Sequence, residues 1–342
     1  MKTMKVAMYY NNNDVRIEDM PVPTIGNAEL LVKVKASGIC GSDVMEWYRI
    51  KRAPKVLGHE ITGDIVEVGK NVKKYKVGDR VFVSHHVPCF TCRYCTNNQQ
   101  TLCHTLHTTN FYPGGFAEYL RVPEINVDRG VFVLPSSMSY EQGVFIEPLA
   151  CVVRGLKTAR LKPGQTVLVI GSGISGLIQI KLAKAWGAVK IFATDVEDFR
   201  LQKAKKFGAD VVVHAKENVP EVVKKHNEEK LADLVVLSTG ALPAVEQALR
   251  SVEPGGTILF FAPTEPRVDV PFPLFDLWNK QITMVSTYAG SPEDIMTAIE
   301  LIALKKITVD DMISHILPLT EAATGFQLVA QAKDSMKVIL KP

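Results

Sequence analysis

The sequence predicts a protein of class α/β plus β, with one β-rich domain and one α/β domain built on a doubly wound, parallel, six-stranded sheet. Three observations predict this architecture. The chain has 342 residues, more than a single hydrophobic core usually organises. Its first part consists of short strand-like runs broken by Gly, Pro and Asn. Its middle part alternates apolar strand-like runs with helical patterns, which is typical of parallel β-α-β units.

The first domain is expected over residues 1–147. Its strand-like runs are KVAMYY, DVRIED, ELLVKVKASGIC, ITGDIVEVG, DRVFVSH and FAEYLRVP. Turn-forming residues separate these runs, which favours a compact all-β or barrel-like domain. The segment 286–342 contains one helical pattern, a loop and a terminal strand, and we expect it to return and complete this domain.

The second domain is expected over residues 148–285. Its six strand candidates are TVLVIG, VKIFATD, VVVH, DLVVLS, TILFFA and ITMVS. Helical patterns such as ISGLIQIKLAKAWG and VEDFRLQKAKKFG separate the strands. Six strands joined by crossover helices predict the doubly wound parallel sheet.

The composition is that of an ordinary soluble globular protein. Hydrophobic residues make up 46% and charged residues 22%, and the formal net charge is +4 from 40 basic and 36 acidic residues. No basic tail or stripe predicts binding to nucleic acid or to an anionic membrane. The opening MKTMKVAMYYNNND lacks the apolar core of a secretory signal, and no later apolar run approaches membrane-spanning length. A cytoplasmic location is therefore expected.

Four of the six cysteines lie in one segment, PCFTCRYCTNNQQTLC. Cys89, Cys92, Cys95 and Cys103 follow a C-x2-C-x2-C-x7-C spacing, and in a reducing compartment such thiols bind metal more often than they form disulfides. A four-thiolate zinc site fits best, and its closed coordination predicts a structural role. Ferredoxins share the opening of this pattern but not its last spacing, which leaves an iron–sulfur cluster as an alternative. Four unligated thiols are the other alternative.

A second motif, G-x-G-x-x-G, lies between an apolar strand and a helix. Its glycines are Gly171, Gly173 and Gly176, and the helix starts around Ile174 and Ser175. The first glycine permits a tight turn, the second lets backbone amides approach a pyrophosphate, and the third allows the helix to pack on the strand. The motif predicts a dinucleotide site whose anionic group faces the helix N-terminus.

Asp195 ends the following strand, at the position where an acid accepts hydrogen bonds from the adenosine ribose and repels a 2′-phosphate. It can also cap the helix that begins near Val196. We therefore favour NAD over NADP, with Arg200 nearby as the opposing feature.

A third set of residues combines a thiol, an imidazole and carboxylates. Cys40 and Asp43 lie in GICGSD, His59 and Glu60 in GHEITGDIVEVG, and Glu147 in FIEPLACVV. Taken alone, each residue is more common in a structural role, such as a buried cysteine, a core histidine or a surface acid. Together they form a ligand set for a catalytic zinc with an open position for water or an alcohol oxygen.

These motifs together resemble the zinc-containing medium-chain dehydrogenase/reductase family, the superfamily of alcohol, sorbitol and threonine dehydrogenases. Gly58, His59, Glu60, Gly63 and Gly69 stand at the spacing of the family's zinc signature, and the cysteine segment and the G-x-G-x-x-G follow in the family's order. The resemblance covers nearly the whole chain. It implies a GroES-like β-barrel domain that carries two zinc ions and a Rossmann domain that binds NAD(P), with the active site in the cleft between them.

The resemblance also implies roles for individual residues. Cys40, His59 and Glu147 match ligands of the catalytic zinc, and Glu60 matches an acid that ligates the metal directly or through water. Asp43 matches the partner that orients the histidine, since ligating imidazoles usually donate their other N–H.

Proton transfer and substrate class follow from the same comparison. Ser42 matches the hydroxyl that passes the substrate proton. Many relatives have a histidine where Met45 stands. The candidates to finish the path here are Glu46, Tyr48, or water with the cofactor ribose, and the last of these ranks first. The IEPLA segment around Glu147 is more similar to polyol and sorbitol-type enzymes than to ethanol-oxidising ones.

The sequence therefore predicts a zinc-dependent oxidoreductase that transfers hydride between NAD and a secondary alcohol of polyol or sugar-like type. Two zinc ions per subunit are expected, one catalytic and one structural, in a homodimer or homotetramer. The alternatives are an L-threonine or short-chain secondary alcohol dehydrogenase on the same scaffold and, from another class, a non-catalytic NAD-binding regulator. A nucleic-acid-binding zinc protein is disfavoured, because TNNQQTL supplies neither basic nor aromatic residues.

Overall fold

The computed structural model describes residues 2–342. The chain forms two compact units. One comprises the chain up to Ala150 together with Gly290–Pro342, and the other comprises Cys151–Ala289. Within residues 2–342, none of the helices combines the length and the apolar character that a membrane crossing requires.

The strands and helices are numbered in chain order. The strands are β1 (Thr3–Asn11), β2 (Asp14–Pro21), β3 (Leu30–Ile39), β4 (Lys55–Val56), β5 (Glu60–Val68), β6 (Arg80–Val83), β7 (Tyr119–Val122), β8 (Val131–Val133), β9 (Thr166–Ile170), β10 (Lys190–Asp195), β11 (Val211–His214), β12 (Ala232–Leu237), β13 (Val252–Phe260), β14 (Thr283–Ser286), β15 (Ile313–Pro318) and β16 (Lys337–Lys341). The α-helices are α1 (Glu46–Arg49), α2 (Arg93–Thr96), α3 (His104–Thr108), α4 (Glu124–Arg129), α5 (Tyr140–Gly143), α6 (Ile146–Thr158), α7 (Ile174–Ala185), α8 (Asp198–Phe207), α9 (Val219–His226), α10 (Leu242–Ser251), α11 (Leu274–Asn279), α12 (Pro292–Ala303) and α13 (Ala322–Gln331).

The β-rich unit contains two sheets. One has the order β2-β1-β4, and the other has the order β15-β16-β3-β5-β6-β8, with β7 also paired to β3. Alternating residues of β3 and β5 such as Leu30, Val32, Ile61 and Ile65 are fully buried and pack on one core cluster. A second cluster packs β1 against α13 and β16, with Tyr9 and Phe326 in ring contact.

The six strand-like runs predicted for this unit correspond to β1, β2, β3, β5, β6 and β7. The prediction for the C-terminal segment was incomplete, because the stretch assigned to a loop contains β15 and α13. β15 is partly exposed, lies at the sheet edge and ends at Pro318, so it lacks the continuous apolar run that identifies buried strands. The terminal strand β16 pairs antiparallel with β3, with Val338 opposite Ile39.

The second unit contains the predicted doubly wound sheet. Its six strands follow the order β11-β10-β9-β12-β13-β14, and every neighbouring pair is parallel. All five residues of β9 are buried, as expected for a central strand covered on both faces. Apolar residues of β9 to β13 pack against α9 and α10 in one cluster. The prediction of six parallel strands with crossover helices is thereby confirmed.

The strand order of this sheet reverses at β9. The chain moves from β9 outward through β10 to β11, and then returns to the other side of β9 with β12. The loops after β9 and β12 lie side by side, since a Cβ placed on Gly171 would come within 3.3 Å of Thr239 Cβ. In doubly wound sheets, ligands bind at the carboxyl ends of the strands at such a switch point.

Candidate metal centres and dinucleotide loop

The four clustered cysteines converge on one point of the β-rich unit. Their sulfurs all lie within 4.8 Å of one another, and none forms a disulfide. The Sγ separations are 3.6 Å for Cys92 and Cys95, 3.5 Å for Cys103 and Cys89, and 4.0 Å for Cys89 and Cys95. A tetrahedral site with Zn–S bonds of about 2.3 Å has sulfur–sulfur edges of about 3.8 Å. The donor atoms therefore fit a closed four-thiolate zinc.

The lobe also stabilises negative charge on the sulfur of Cys89. The amides of Thr91 and Cys92 donate to Cys89 Sγ over 3.4 and 3.3 Å. Together with the Thr91 hydroxyl, these donors lower the pKa of Cys89 to about 5. A metal-binding thiol must be deprotonated, so this backbone arrangement favours metal binding.

Replacing Cys95 by serine is expected to remove one metal equivalent and to lower the unfolding temperature of the protein by roughly 10 °C, because a closed zinc site contributes directly to folding. Elemental analysis and calorimetry measure both effects. Cys151→Ser is the matched control, since Cys151 lies outside the cluster. Two metal equivalents and an unchanged unfolding temperature in the Cys95→Ser protein would contradict a structural zinc.

The second group of candidate ligands lies at one end of the larger sheet of the β-rich unit. Cys40 follows β3, and His59 immediately precedes β5, which begins at Glu60. Gly38 lies opposite Glu60 in the antiparallel pairing of these strands, which brings the end of β3 next to the start of β5. One ligand atom from each of Cys40, His59 and Glu60 falls within 4.8 Å of the others.

Asp43 contacts both Cys40 and His59. It belongs to a short 3-10 helix, Gly41–Asp43, and its Oδ2 accepts the Cys40 amide at 3.1 Å. Its Oδ1 lies 3.5 Å from His59 Nδ1. Burial acts to raise the pKa of this fully buried carboxyl, but His59 and then Arg49 outweigh it and lower that pKa. An ionised Asp43 orients the imidazole through Nδ1 and leaves Nε2 for a metal.

Two neighbouring acidic groups, Asp43 and Cys40, raise the pKa of His59. Burial alone would lower its pKa, but the charges of Asp43 and then Cys40 hold the pKa of His59 well above its usual range. The same negative charge stabilises a cation at this point. The Cys40 thiol is also aligned by the Ser42 amide, which donates to its sulfur at 3.4 Å.

Glu60 pairs with a lysine that the sequence prediction missed. Lys337 Nζ donates to Glu60 Oε2 at 2.6 Å, and both side chains are fully buried. Burial acts to lower the pKa of Lys337, but Glu60 and then Cys40 outweigh it and raise that pKa. Lys337 begins β16, which neighbours β3 in the sheet, so the topology brings it to the ligand group. An ionisable residue inside the apolar terminal strand KVIL was the sequence signal.

The other carboxylate oxygen of Glu60 is available to a ligand. Oε1 is buried and has no hydrogen-bond partner among residues 2–342. A buried carboxylate oxygen without a partner is costly unless a cation or water completes it. Thiolate, imidazole and carboxylate are ligands that zinc accepts, so this group fits the ion. Glu147, the other predicted carboxylate ligand, lies in the first turn of α6 and is not part of the group within 4.8 Å.

Ser42, the predicted proton-relay residue, is held by a second residue that the sequence prediction missed. Arg49 donates from Nη2 to Ser42 Oγ and from Nε to the Ser42 carbonyl, each over 2.9 Å. Its Nη2 also lies 3.3 Å from Asp43 Oδ1. A guanidinium that donates to Oγ leaves the hydroxyl hydrogen to point elsewhere and stabilises negative charge on the oxygen.

A neutral histidine lies beside the ligand group. The ring of His85 is 5.0 Å from that of His59 and 3.7 Å from that of His86, measured between centroids. Burial and then the charges of His86 and His59 hold the pKa of His85 well below its usual range. Its Nδ1 has no hydrogen-bond partner within residues 2–342. A neutral imidazole here can bind a hydroxyl group of a bound molecule.

The glycine motif forms the predicted strand-to-helix turn. Gly171 follows β9 with φ +92°, and Gly173 is the N-cap of α7, which starts at Ile174 and Ser175. A Cβ on Gly176 would collide with the Gly171 carbonyl oxygen, so only glycine allows the helix to approach the strand this closely. The N-terminus of α7 therefore lies just after β9, and backbone amides at such a position can bind an anion.

Asp195 uses its carboxylate to brace this loop. Oδ2 accepts the Ser172 amide at 2.7 Å, while Oδ1 accepts the amides of Val196 and Glu197 at 2.8 and 3.0 Å. Arg200 Nη1 lies 3.9 Å from Oδ2. Asp195 therefore holds the glycine loop and the turn before α8, and an acid and a base lie together at the end of β10.

Comparison with known proteins is consistent with both domains. Residues 26–132 match the alcohol dehydrogenase GroES-like domain, and residues 175–304 match the zinc-binding dehydrogenase family. The chain is 32% identical over 333 residues to D-xylulose reductase A of Aspergillus oryzae, covering 93% of this chain and 91% of that protein. It is 35% identical over 283 residues to the sorbitol dehydrogenase of Bacillus subtilis, covering 79% of each. The solved structure of the alcohol dehydrogenase TADH from Thermus sp. ATN1 matches with a TM-score of 0.88, 31% identity and 99% of both chains.

Proposed function

The chain belongs to the zinc-containing medium-chain dehydrogenase family, and on that premise we propose that it oxidises a secondary alcohol of a polyol to the ketone, reversibly, with NAD as the hydride acceptor. The observation that carries this proposal is the group of Cys40, His59 and Glu60, in which Glu60 Oε1 has no hydrogen-bond partner among residues 2–342. Three donors with an open position are typical of catalytic zinc, whereas the four-cysteine lobe is closed.

Cys40, His59 and Glu60 would hold the catalytic ion, with Glu147 as a further candidate. A bound zinc would favour the alkoxide form of the alcohol, and a bound nicotinamide would serve as the hydride acceptor. Asp43 keeps the imidazole in the orientation that ligation requires. Lys337 anchors one oxygen of Glu60, so the other oxygen remains free to reach the metal.

The alcohol proton passes to Ser42 Oγ. Arg49 stabilises negative charge on that oxygen, so Ser42 can accept the proton as its own proton leaves. Met45 offers no titratable group for the next step, which water and the ribose of a bound cofactor would provide. His85 contributes a neutral ring that binds a neighbouring hydroxyl group of the substrate.

The proposed cofactor is NAD in preference to NADP. The glycine motif at the switch point of the sheet supports a dinucleotide. The Asp195 carboxylate at the end of β10 opposes a 2′-phosphate, whereas Arg200 beside it would favour one. Because Arg200 is paired with Asp195, its charge is already partly balanced, and we expect the acid to decide the preference.

The polyol assignment is supported by two relatives, which are named for the ketose D-xylulose and the polyol sorbitol. We expect zinc-loaded protein to reduce NAD with xylitol or sorbitol and to give little signal with L-threonine or 2-propanol. Activity should be lost on chelation and should return when zinc is restored. NADP in place of NAD tests the cofactor preference in the same assay. Turnover restricted to threonine would favour the rival dehydrogenase, and turnover that survives zinc removal would contradict the mechanism.

The subunit is further proposed to form a homodimer or homotetramer in the cytoplasm. Leu274, Phe275 and Trp278 are more than 70% exposed around α11, next to the edge strand β14. Such an apolar patch at a sheet edge is typical of a subunit interface. Sedimentation velocity should show a dimer or larger, and a monomer at micromolar concentration would contradict this.

The reduced thiols that both metal groups require support a cytoplasmic location.

A further inference from the structure

A buried glutamine lies on the helix that follows the glycine motif. Gln179 belongs to α7, and its side chain is 1% exposed. Among the buried residues of α7, which the structure describes in full, it is the only one with a polar side chain. The glycines and Asp195 already account for the contacts that the motif predicts with a dinucleotide. A buried amide at this position therefore needs another explanation.

The amide group of Gln179 is only partly satisfied. Its Oε1 accepts a hydrogen bond from Ser238 Oγ over 2.7 Å. Its Nε2 is buried and has no hydrogen-bond partner among residues 2–342. A buried donor without a partner lowers stability relative to an apolar side chain of similar size. Packing alone would favour methionine or leucine here, so the retained amide indicates a role other than stability.

Ser238, the partner of Gln179, lies at the switch point of the parallel sheet. It directly follows β12, and its amide donates to the carbonyl of Ile170, the last residue of β9, at 2.8 Å. A Cβ placed on Gly171 would come within 3.3 Å of the Ser238 carbonyl carbon. The loop after β12 therefore packs directly against the first glycine of the motif.

Gln179 reaches this loop from the other side of the glycine turn. Gly176 lies three residues earlier on α7, on the same helix face, and packs against the backbone of Gly171. The side chain of Gln179 then connects this face of α7 to Ser238. One hydrogen bond thus joins the helix that begins at the glycine turn to the loop after β12. Dinucleotides bind between such loops in doubly wound sheets.

We propose that Gln179 is a positioning residue for the dinucleotide, which acts through Ser238 by fixing the loop after β12 against the glycine turn. The inference rests on the proposed function, in which NAD binds at this turn, and it assigns part of the cofactor affinity to a residue outside the motif. A crevice whose walls are already held in place loses less conformational entropy when a ligand binds. The effect falls on dinucleotide affinity, because both residues belong to the unit that carries the glycine motif.

The test measures cofactor affinity and stability in Gln179→Met, which keeps the length of the side chain but removes the amide. In zinc-loaded protein we expect the Kd for NADH, from fluorescence titration, and the KM for NAD to rise about 5- to 10-fold. The kcat at saturating NAD should not fall. The unfolding temperature of the cofactor-free protein should be unchanged or higher, because an unpaired donor leaves the core. Gln165→Met is the matched control, since Gln165 precedes β9 at the opposite end of the sheet, and it should leave the Kd unchanged.

A double-mutant cycle tests whether Gln179 acts through Ser238. Ser238→Ala should raise the Kd for NADH by a similar factor, and adding Gln179→Met to it should change the Kd by less than about 2-fold. Additive effects would overturn the inference, and so would an unchanged Kd in Gln179→Met. If Gln179→Met lowers the unfolding temperature as well as the affinity, the cycle decides between positioning and a general loss of structure.

Failure of the proposed function gives a different result. If the wild-type protein binds NADH but oxidises no polyol, the proposed function fails, and the Kd values of the variants still decide the role of Gln179. If the wild-type protein binds neither NADH nor NADPH, both the proposed function and this inference are overturned.

Discussion

Replacing Cys40 by serine is expected to abolish turnover while the protein stays folded and binds NADH. The thiolate is one of the three proposed donors to the catalytic zinc. Loss of the metal would remove several kcal/mol of transition-state stabilisation, a fall of at least about 10³-fold in kcat. Cys40 lies in the β-rich unit and the glycine loop lies in the other unit, so dinucleotide affinity should be unchanged. Turnover, zinc content and NADH fluorescence titration measure these effects.

A variant of the four-cysteine site, Cys95→Ser, is the control for the Cys40→Ser experiment. Cys95→Ser should lower stability and remove the other zinc, while the protein that remains folded keeps its activity. Each variant should lose one metal equivalent, but only Cys40→Ser should lose catalysis with an unchanged unfolding temperature. A fully active Cys40→Ser enzyme would contradict the assignment of the catalytic metal.

Replacing Lys337 by methionine is expected to destabilise the β-rich unit by about 3–5 kcal/mol, because Glu60 would remain buried without its cation. Activity should fall as well, since Glu60 is no longer anchored on one oxygen and either takes up a proton or moves to the metal. Chemical denaturation and kcat, measured on the same zinc-loaded preparation, test both expectations.

Lys341→Met is the matched control in the same strand. Lys341 pairs with Glu141 at the surface, with 48% of its side chain exposed, so its loss should cost at most about 1 kcal/mol. Lys337→Arg keeps the charge and should retain part of the stability. Equal destabilisation by Lys337→Met and Lys341→Met would show that the buried ion pair contributes no more to the free energy of unfolding than the surface pair does.

The parallel sheet could be predicted because each of its strands and helices is encoded by a pattern within a short stretch of sequence. β9 is apolar after Thr166 and β10 has an apolar centre, and a helical pattern lies between them, so each element can be recognised within a short window. The four-cysteine site could be predicted for the same reason, since the segment from Cys89 to Cys103 is short enough for one lobe to bring the sulfurs together. β15 was missed because an exposed edge strand lacks such a pattern, and α13, as long as the predicted helix α8, was simply not recognised.

The candidate catalytic group was only partly accessible to sequence reasoning. Its residue types identified Cys40, His59 and Glu60, although the sequence alone could not choose between Glu60 and Glu147. The chain distance from Glu60 to Lys337 is 277 residues, and no spacing rule connects them. Arg49 was overlooked because a basic residue on a short turn is usually solvated.

By itself the sequence determined the class of protein, the six parallel strands, the dinucleotide turn and the sets of metal-ligating residue types. These depend on periodicity, on glycines that a tight turn requires, and on donor chemistry, all of which are properties of local segments. Only the tertiary structure decided which charges meet. The sheet order places β16 beside β3 and β3 beside β5, so Lys337, Cys40 and Glu60 meet at one end of the sheet. Burial of Lys337 and Glu60 there strengthens the attraction between their charges, because water no longer screens it.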